Sequence, residues 1–442
     1  MDSQSYGDLN IFPSHHTSFS VFALFKKTKT LGGRDRLEEM MRNPGNDVDY
    51  LTQRRDSIEF FKISNLEVKV HHDQFDLILH YLNYDKGYLR NNLIDSTLAF
   101  ISNKINSNQD YYIVQIGLDQ LLSLLRHSVE LVSVLTDTKS PEFLKRIGRK
   151  MSAILDNEDI KYAIPLTAKK NLRYYELSKL DALIRRKNTF RIIELLRIFY
   201  ELDVFETLAK ISKDKNFCLP TYTHDKNVNI AIKGLFHPGI NEPVCNDIVI
   251  DNKNNLIFLT GSNMAGKSSF LKSIGIAVYL SHIGFPVPAR ELHTVVFNGL
   301  ITTINLADNI QNGLSHYFSE VLRVKQIAST LIETTRLFII LDELFKGTNS
   351  KDAHDGSLMV LNGLSEIQNS IFIISSHITE LTKQLKKENI ELRYLENLIV
   401  DKIPKFTYLL KEGVSEDGIG MYFLHKENIS ELLTQARTND LT

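Results

Sequence analysis

Two hydrophobic rhythms divide the chain. Up to about residue 216, apolar positions recur at steps of three and four. Leu118, Leu121, Leu122, Leu125, Val129 and Val132 form one such stretch, and Phe190, Ile193, Leu196, Phe199, Leu202 and Phe205 another. That spacing predicts long amphipathic helices, with breakers confined to Gly32-Gly33, Pro44-Gly45, Pro141 and Pro165. Periodicity alone fits an ordinary helical bundle and a lever-like arm equally well. From about residue 217, short unbroken apolar runs take over: VNIAIKGL at 228–235, VCNDIVI at 244–250, NLIFLT at 255–260, LFIIL at 337–341 and IFII at 371–374. They alternate with helical stretches such as SFLKSIGIAVY at 269–279, which predicts a layered α/β domain. Residues 1–17 are polar and aperiodic, as expected of a flexible leader. The chain is thus expected to be multidomain: the leader, an all-α domain over 18–216, and an α/β domain over 217–442.

Composition narrows the options. An apolar content of 43% in 442 residues supports sizeable cores, and 52 basic against 53 acidic residues leave a net charge of −1. Bulk charge therefore gives no sign of nucleic acid, and any such contact must come from local patches. Three basic clusters lie in the helical half: Lys145, Arg146, Arg149 and Lys150; Lys169, Lys170 and Arg173, followed by Tyr174 and Tyr175; and Arg185, Arg186 and Lys187. Basic residues beside aromatics suit phosphate contact, and a solvated helix face explains each cluster as well. Cys218 and Cys245 have no metal-ligand spacing, and a reducing cytoplasm is the simplest account of them. His15 and His16 in the leader are expected to be solvated. No secretion signal or membrane span is evident, so a cytoplasmic location without membrane contact is expected.

The chemistry concentrates at Gly261, Ser262, Asn263, Met264, Ala265, Gly266, Lys267 and Ser268, which spell G-x-x-x-x-G-K-S. Between an apolar strand and a helix start, that loop turns backbone N–H groups and the helix dipole toward phosphates. Gly261 and Gly266 permit the tight path, Lys267 is expected on the β- and γ-phosphates of ATP, and Ser268 on Mg²⁺. The run at 337–341 ends in Asp342-Glu343. Asp342 is expected to hold the metal, and Glu343 to orient or deprotonate the attacking water. The turn Gly347-Thr348-Asn349-Ser350 that follows is a candidate contact with a partner subunit. A further strand, at 371–374, ends in Ser375-Ser376-His377; a histidine there is a candidate to meet a γ-phosphate, and a satisfied structural role explains it as well.

Taken together, GSNMAGKSS, IGFPVPA, NGLSHYFSE, LDELFKGTNS and SSHITEL resemble, in order and spacing, the ATPase domain of the MutS family of DNA mismatch repair proteins. Residues 28–61 look like the start of that family's helical core, and residues 218–238 like the entry to its ATPase domain. The resemblance implies an ABC-like ATPase domain after a core/lever domain, and a homodimer with composite ATP sites. By position, Lys267, Ser268, Asp342, Glu343 and His377 fall on the catalytic, magnesium and switch residues. Asn263 falls on the loop asparagine that orders the site, and Ser315 on the serine that reaches the partner's γ-phosphate. Ser262, Ala265 and Ser269 stand where proline, glycine and threonine are usual. Val244 replaces an aromatic, and Tyr408 falls near the opposing stacking position over the base. Residues 418–436 look like the family's helix-turn-helix dimerisation element. The core begins almost at once, so the chain resembles shortened members without a mismatch-recognition domain or connector.

What the resemblance implies is a dimeric, nucleoid-associated DNA-binding ATPase acting on mismatched or branched duplex, with repair-protein partners. A scaffolding clamp ATPase that grips a protein or chromosome-associated partner is the competing expectation. A small-molecule kinase fits poorly, because the long helical half offers no evident acceptor pocket.

Overall fold

The computed structural model describes residues 1–14, 19–85, 89, 109–169, 172–225, 227–262, 264–305, 316–385, 389–400, 403–415, 422, 424 and 426–439. His15, His16, Lys170, Asn263 and Ser315 lie outside them, as does part of the C-terminal element expected at 418–436. In chain order the helices are α1 (Ser3–Asp8), α2 (Val21–Phe25), α3 (Leu31–Arg42), α4 (Val48–Ser64), α5 (His72–Leu82), α6 (Gln109–Leu135), α7 (Glu142–Leu155), α8 (Glu158–Ala163), α9 (Tyr174–Leu183) and α10 (Thr189–Asp214). Strands β1 (Thr221–Tyr222), β2 (Ile230–Leu235), β3 (Asn246–Ile250) and β4 (Leu256–Thr260) follow. Then come α11 (Lys267–Ser281), β5 (Glu291–Thr294), β6 (Gly299–Thr303), α12 (His316–Glu333), β7 (Leu337–Asp342), α13 (Ser350–Ser365) and β8 (Ile371–Ser375). The hairpin of β9 (Ile390–Val400) and β10 (Ile403–Glu412) precedes α14 (Ile429–Asn439). The chain divides into two compact units, one of Met1–Ala23, Pro44–Thr52 and Asp214–Thr442, the other of Leu24–Asn43 and Gln53–Lys213.

The regular elements described in the second unit are all helices. Leu118, Leu121, Leu122 and Leu125 are buried along α6, as their spacing predicts. Gly117 lets α5 approach, since a Cβ there would fall 2.2 Å from the Tyr81 Cβ. On α10, Leu196, Phe199, Leu202 and Phe205 are buried while Phe190 is 73% exposed. A strict three-residue step drifts around a helix of 3.6 residues per turn, and nine residues carry Phe190 to the face opposite Phe199. Buried Asp203 accepts from Lys29 N (3.0 Å), Thr30 N (2.9 Å) and Thr30 Oγ1 (2.8 Å), fixing the entry to α3. Burial nevertheless pushes its carboxyl above the usual range.

Several cations of this unit's basic clusters pair with its own acids. Arg149 pairs with Glu142 at 3.0 Å, Lys150 with Glu194 at 2.9 Å, and Lys169 with Glu176. Lys187 lies 3.9 Å from Asp159, and Arg146 sits over the Phe143 ring. Arg185 is buried in a two-pronged pair with Asp181, both bonds at 2.6 Å, and so is not a surface cation.

Among its described residues the first unit holds two sheets, ordered β1-β5-β2-β3 and β10-β9-β4-β8-β7-β6. In the larger, β6, β7, β8, β4 and β9 run parallel and β10 returns antiparallel. Every residue of β4, β7 and β8 is buried, which is why their sequences are unbroken apolar runs rather than alternating ones. The expected leader is corrected here. Residues 3–8 form α1, capped by Asp2, whose side chain accepts from Ser5 N. Asp8 accepts from Thr302 Oγ1 (2.8 Å), Ile304 N (2.9 Å) and Asn305 N (3.0 Å), and Ser5 Oγ accepts from Thr302 N (2.8 Å). A segment with few apolar residues is thus held by side-chain-to-backbone bonds that leave no periodic trace in sequence.

Candidate nucleotide site

Three neighbouring parallel strands, β4, β8 and β7, deliver the site at their carboxyl ends, where ligands of open α/β sheets bind. Beyond β4 the loop turns at Met264 (φ 73°) and Gly266 (φ 94°) and enters α11. Glycine is required at 266 because the left-handed conformation disfavours a side chain. Lys267 is buried, its Nζ donating to Gly261 O at 2.7 Å and lying 3.5 Å from Glu343 Oε1. Ser268 Oγ donates to Asp342 Oδ2 at 2.5 Å, and the other oxygen of Asp342 takes the Ser375 hydroxyl. Asn397 Nδ2 donates to Ser262 Oγ at 2.9 Å, tying β9 to the loop.

Glu343 follows β7 with φ 54° and has basic side chains on several sides. Lys346 Nζ lies 2.9 Å and His377 Nδ1 3.8 Å from its Oε2. Burial raises its pKa, but the bond and charge of Lys346, then Lys267 and His377, outweigh that and hold it below the usual range. Its carboxylate is therefore ionised at neutral pH, the form a base needs. Buried Glu320 on α12 accepts from Lys346 N (3.2 Å) and Gly347 N (3.4 Å), bracing the loop that carries Glu343. The turn at 347–350, expected as a partner contact, also serves its own fold, since Asn349 caps α13 by accepting from Lys351 N and Asp352 N.

A cavity of about 600 Å³ opens beside the loop. Ser262, Met264, Gly266, Lys267, Ser268 and Ser269 line it, with Glu343, Val244 and Tyr408. Gly261, Ala265, Asp342 and His377 are not part of that lining. Asp342 and Glu343 line a second cavity of about 220 Å³. The expected positions of Lys267, Ser268, Asp342, Glu343 and His377 thus converge, while Asn263 and Ser315 lie outside the described residues. Asn246 and Asn397 join the site without a motif to mark them in the sequence, whereas His237, Glu320 and Lys346 lie within the stretches that carry the resemblance but had no role assigned there. His237 lines the cavity and is held at a pKa of about 4 by burial and by the Lys272 charge, so it is neutral at pH 7.

The donor set suits magnesium. Ser268 and Asp342 offer adjacent hard oxygens, and this ion takes few protein ligands alongside phosphate oxygens and water.

Residues 257–440 match the family model of MutS domain V. A protein of Petrotoga mobilis named DNA mismatch repair protein MutS is 26% identical over 282 residues, covering 62% of this chain and 34% of that protein. Proteins of the same name from Listeria innocua (27% identical, 57% of this chain, 30% of that protein) and Bacillus mycoides (26%, 63% and 32%) are similar to it as well. The chain therefore spans about a third of the length of these curated relatives.

Proposed function

We propose that this chain, whose residues 257–440 match the family model of MutS domain V, is an ATP-hydrolysing, DNA-binding protein of the mismatch-repair type, acting as a homodimer. The observation that carries the ATPase part is the meeting of Lys267, Ser268, Asp342 and Glu343 at the ends of β4 and β7. Lys267 binds the β- and γ-phosphates, helped by the N–H groups that open α11. Ser268 and Asp342 would hold Mg²⁺, which would supply charge neutralisation at the phosphates. Glu343 orients water for in-line attack and takes its proton, and His377 stands beside Glu343 to register the γ-phosphate. The remaining loop residues Gly261, Ser262, Met264, Ala265, Gly266 and Ser269 shape the cradle, with Asn263 and Ser315 expected to complete it. Turnover of ATP by the purified chain, abolished in Lys267→Ala, tests this part. A fully active Lys267→Ala protein would refute it.

Exposed Leu432 and Leu433 on α14 support a dimerisation element at the C-terminal end. DNA, mismatched or branched, is the proposed ligand. The internal pairing of the basic clusters favours a second function, a clamp ATPase on a protein or chromosome-associated partner. Fluorescence anisotropy with homoduplex, mismatched duplex and four-way junction at two salt concentrations separates them. Phosphate contact makes DNA affinity fall steeply with salt, whereas weak binding to all three DNAs leaves the protein-partner function.

A further inference from the structure

Tyr408 stands in the wall of the larger cavity in an uncommon conformation, with φ 59°. It sits in β10 where the pairing with β9 slips, between Phe406 and Leu410. A tyrosine in the left-handed region is strained and persists only when its surroundings hold it there. The hold is Asn246. Its Nδ2 donates to Tyr408 O at 3.0 Å and its Oδ1 accepts from Leu410 N at 2.7 Å, so one side chain spans the bulge. Asn246 begins β3, is buried, and itself lines the cavity. The bulge decides where the ring goes. A Cβ placed on Gly266 would come within 3.0 Å of Tyr408 Cδ1, so the ring lies against the last glycine of the phosphate loop. Phe406 stacks near it, centroids 6.3 Å apart and planes inclined by 29°.

We propose that Asn246 is a positioning residue: by pinning the bulge of β10 it sets the Tyr408 ring as the aromatic wall against which a bound nucleotide packs. This rests on the nucleotide function proposed above. Sheet-level pattern could not supply such a wall, because a regular strand would turn residue 408 with the alternation of its neighbours.

The test is calorimetric titration of ADP into the full chain and into Asn246→Ala, Tyr408→Ala and the double variant. Asn246→Ala and Tyr408→Ala are each expected to weaken ADP about tenfold, a loss of ~1.4 kcal/mol. The double variant is expected to bind no worse than Tyr408→Ala alone, because Asn246 acts through the ring. Losses that multiply in the double variant, or unchanged affinity in Asn246→Ala, would overturn the proposal. Asn246→Asp keeps the shape and the acceptor for Leu410 N but removes the donor to Tyr408 O. It is expected to lose affinity too, and it carries the same comparison should the alanine variant fail to fold. Failure of the unaltered chain to bind ADP would instead remove the nucleotide function itself, a result visible before any variant is made.

Discussion

Ser268 and Asp342, 74 residues apart in the chain, meet through a hydrogen bond of 2.5 Å that joins the start of α11 to the end of β7. In the proposed function one divalent ion would take both oxygens. Asp342→Asn preserves volume but removes the charge. Magnesium-dependent ATP turnover should fall roughly a hundredfold or more in that variant, measured as phosphate release across a magnesium series. Turnover equal to the unaltered chain at every magnesium level would dismiss Asp342 as a metal ligand.

Glu343→Gln should leave ATP binding within about threefold while lowering turnover by two orders of magnitude or more, on the order of what removing a well-placed catalytic group costs. Filter binding with single-turnover hydrolysis separates the two effects. Loss of both together would mean that the residue holds the loop rather than the water.

Lys346 bears on the acid limb of the proposed reaction. The Glu343 carboxyl is held below its ordinary value chiefly by Lys346 acting against burial, so the proposed base stays ionised down to mildly acidic pH. Removing that cation in Lys346→Ala should move the acid limb of kcat upward in pH. An unmoved limb would detach the limb from Glu343.

His237 contributes a pH dependence of stability with a defined sign. The folded ring titrates near 4 and the unfolded one near 6.5, so protonation favours the unfolded chain. Its contribution is intact above pH 6.5 and is lost as the pH falls toward 4. Melting temperatures of the unaltered chain minus those of His237→Gln should narrow over that window. A difference that stays constant with pH would contradict the assignment.

Asp203→Ala should destabilise the helical unit by roughly 2–4 kcal/mol, because it strands the buried N–H groups of Lys29 and Thr30. Urea denaturation followed by helical circular dichroism would record the shift. A change under about 0.5 kcal/mol, within the range of surface substitutions, would contradict it.

Legibility followed the physics of each element. Strands β4, β7 and β8 were plain in sequence because strands buried on both faces leave unbroken apolar runs, and the tight loop at 261–266 because its backbone path favours glycine. Features made by distant partners were not. Lys150 looked like one of a basic cluster until Glu194, a helix away, was found beside it. Asn246 and Tyr408 are 162 residues apart and joined by a bulge that no propensity scale encodes. The Phe190 position misled because a three-residue step imitates amphipathicity over two turns and loses it over three.

The clasp of α1 has a consequence for how this protein behaves in concentrated solution. Strand β6 closes one side of the larger sheet, and a bare strand at such a border invites pairing with another molecule. Ser5 and Asp8 occupy the N–H groups of Thr302, Ile304 and Asn305 with side-chain oxygens, which accept hydrogen bonds yet cannot template another strand. By this geometry the first eight residues are expected to hinder such pairing, and a shortened recombinant chain starting after Asp8 is expected to associate through that border more readily.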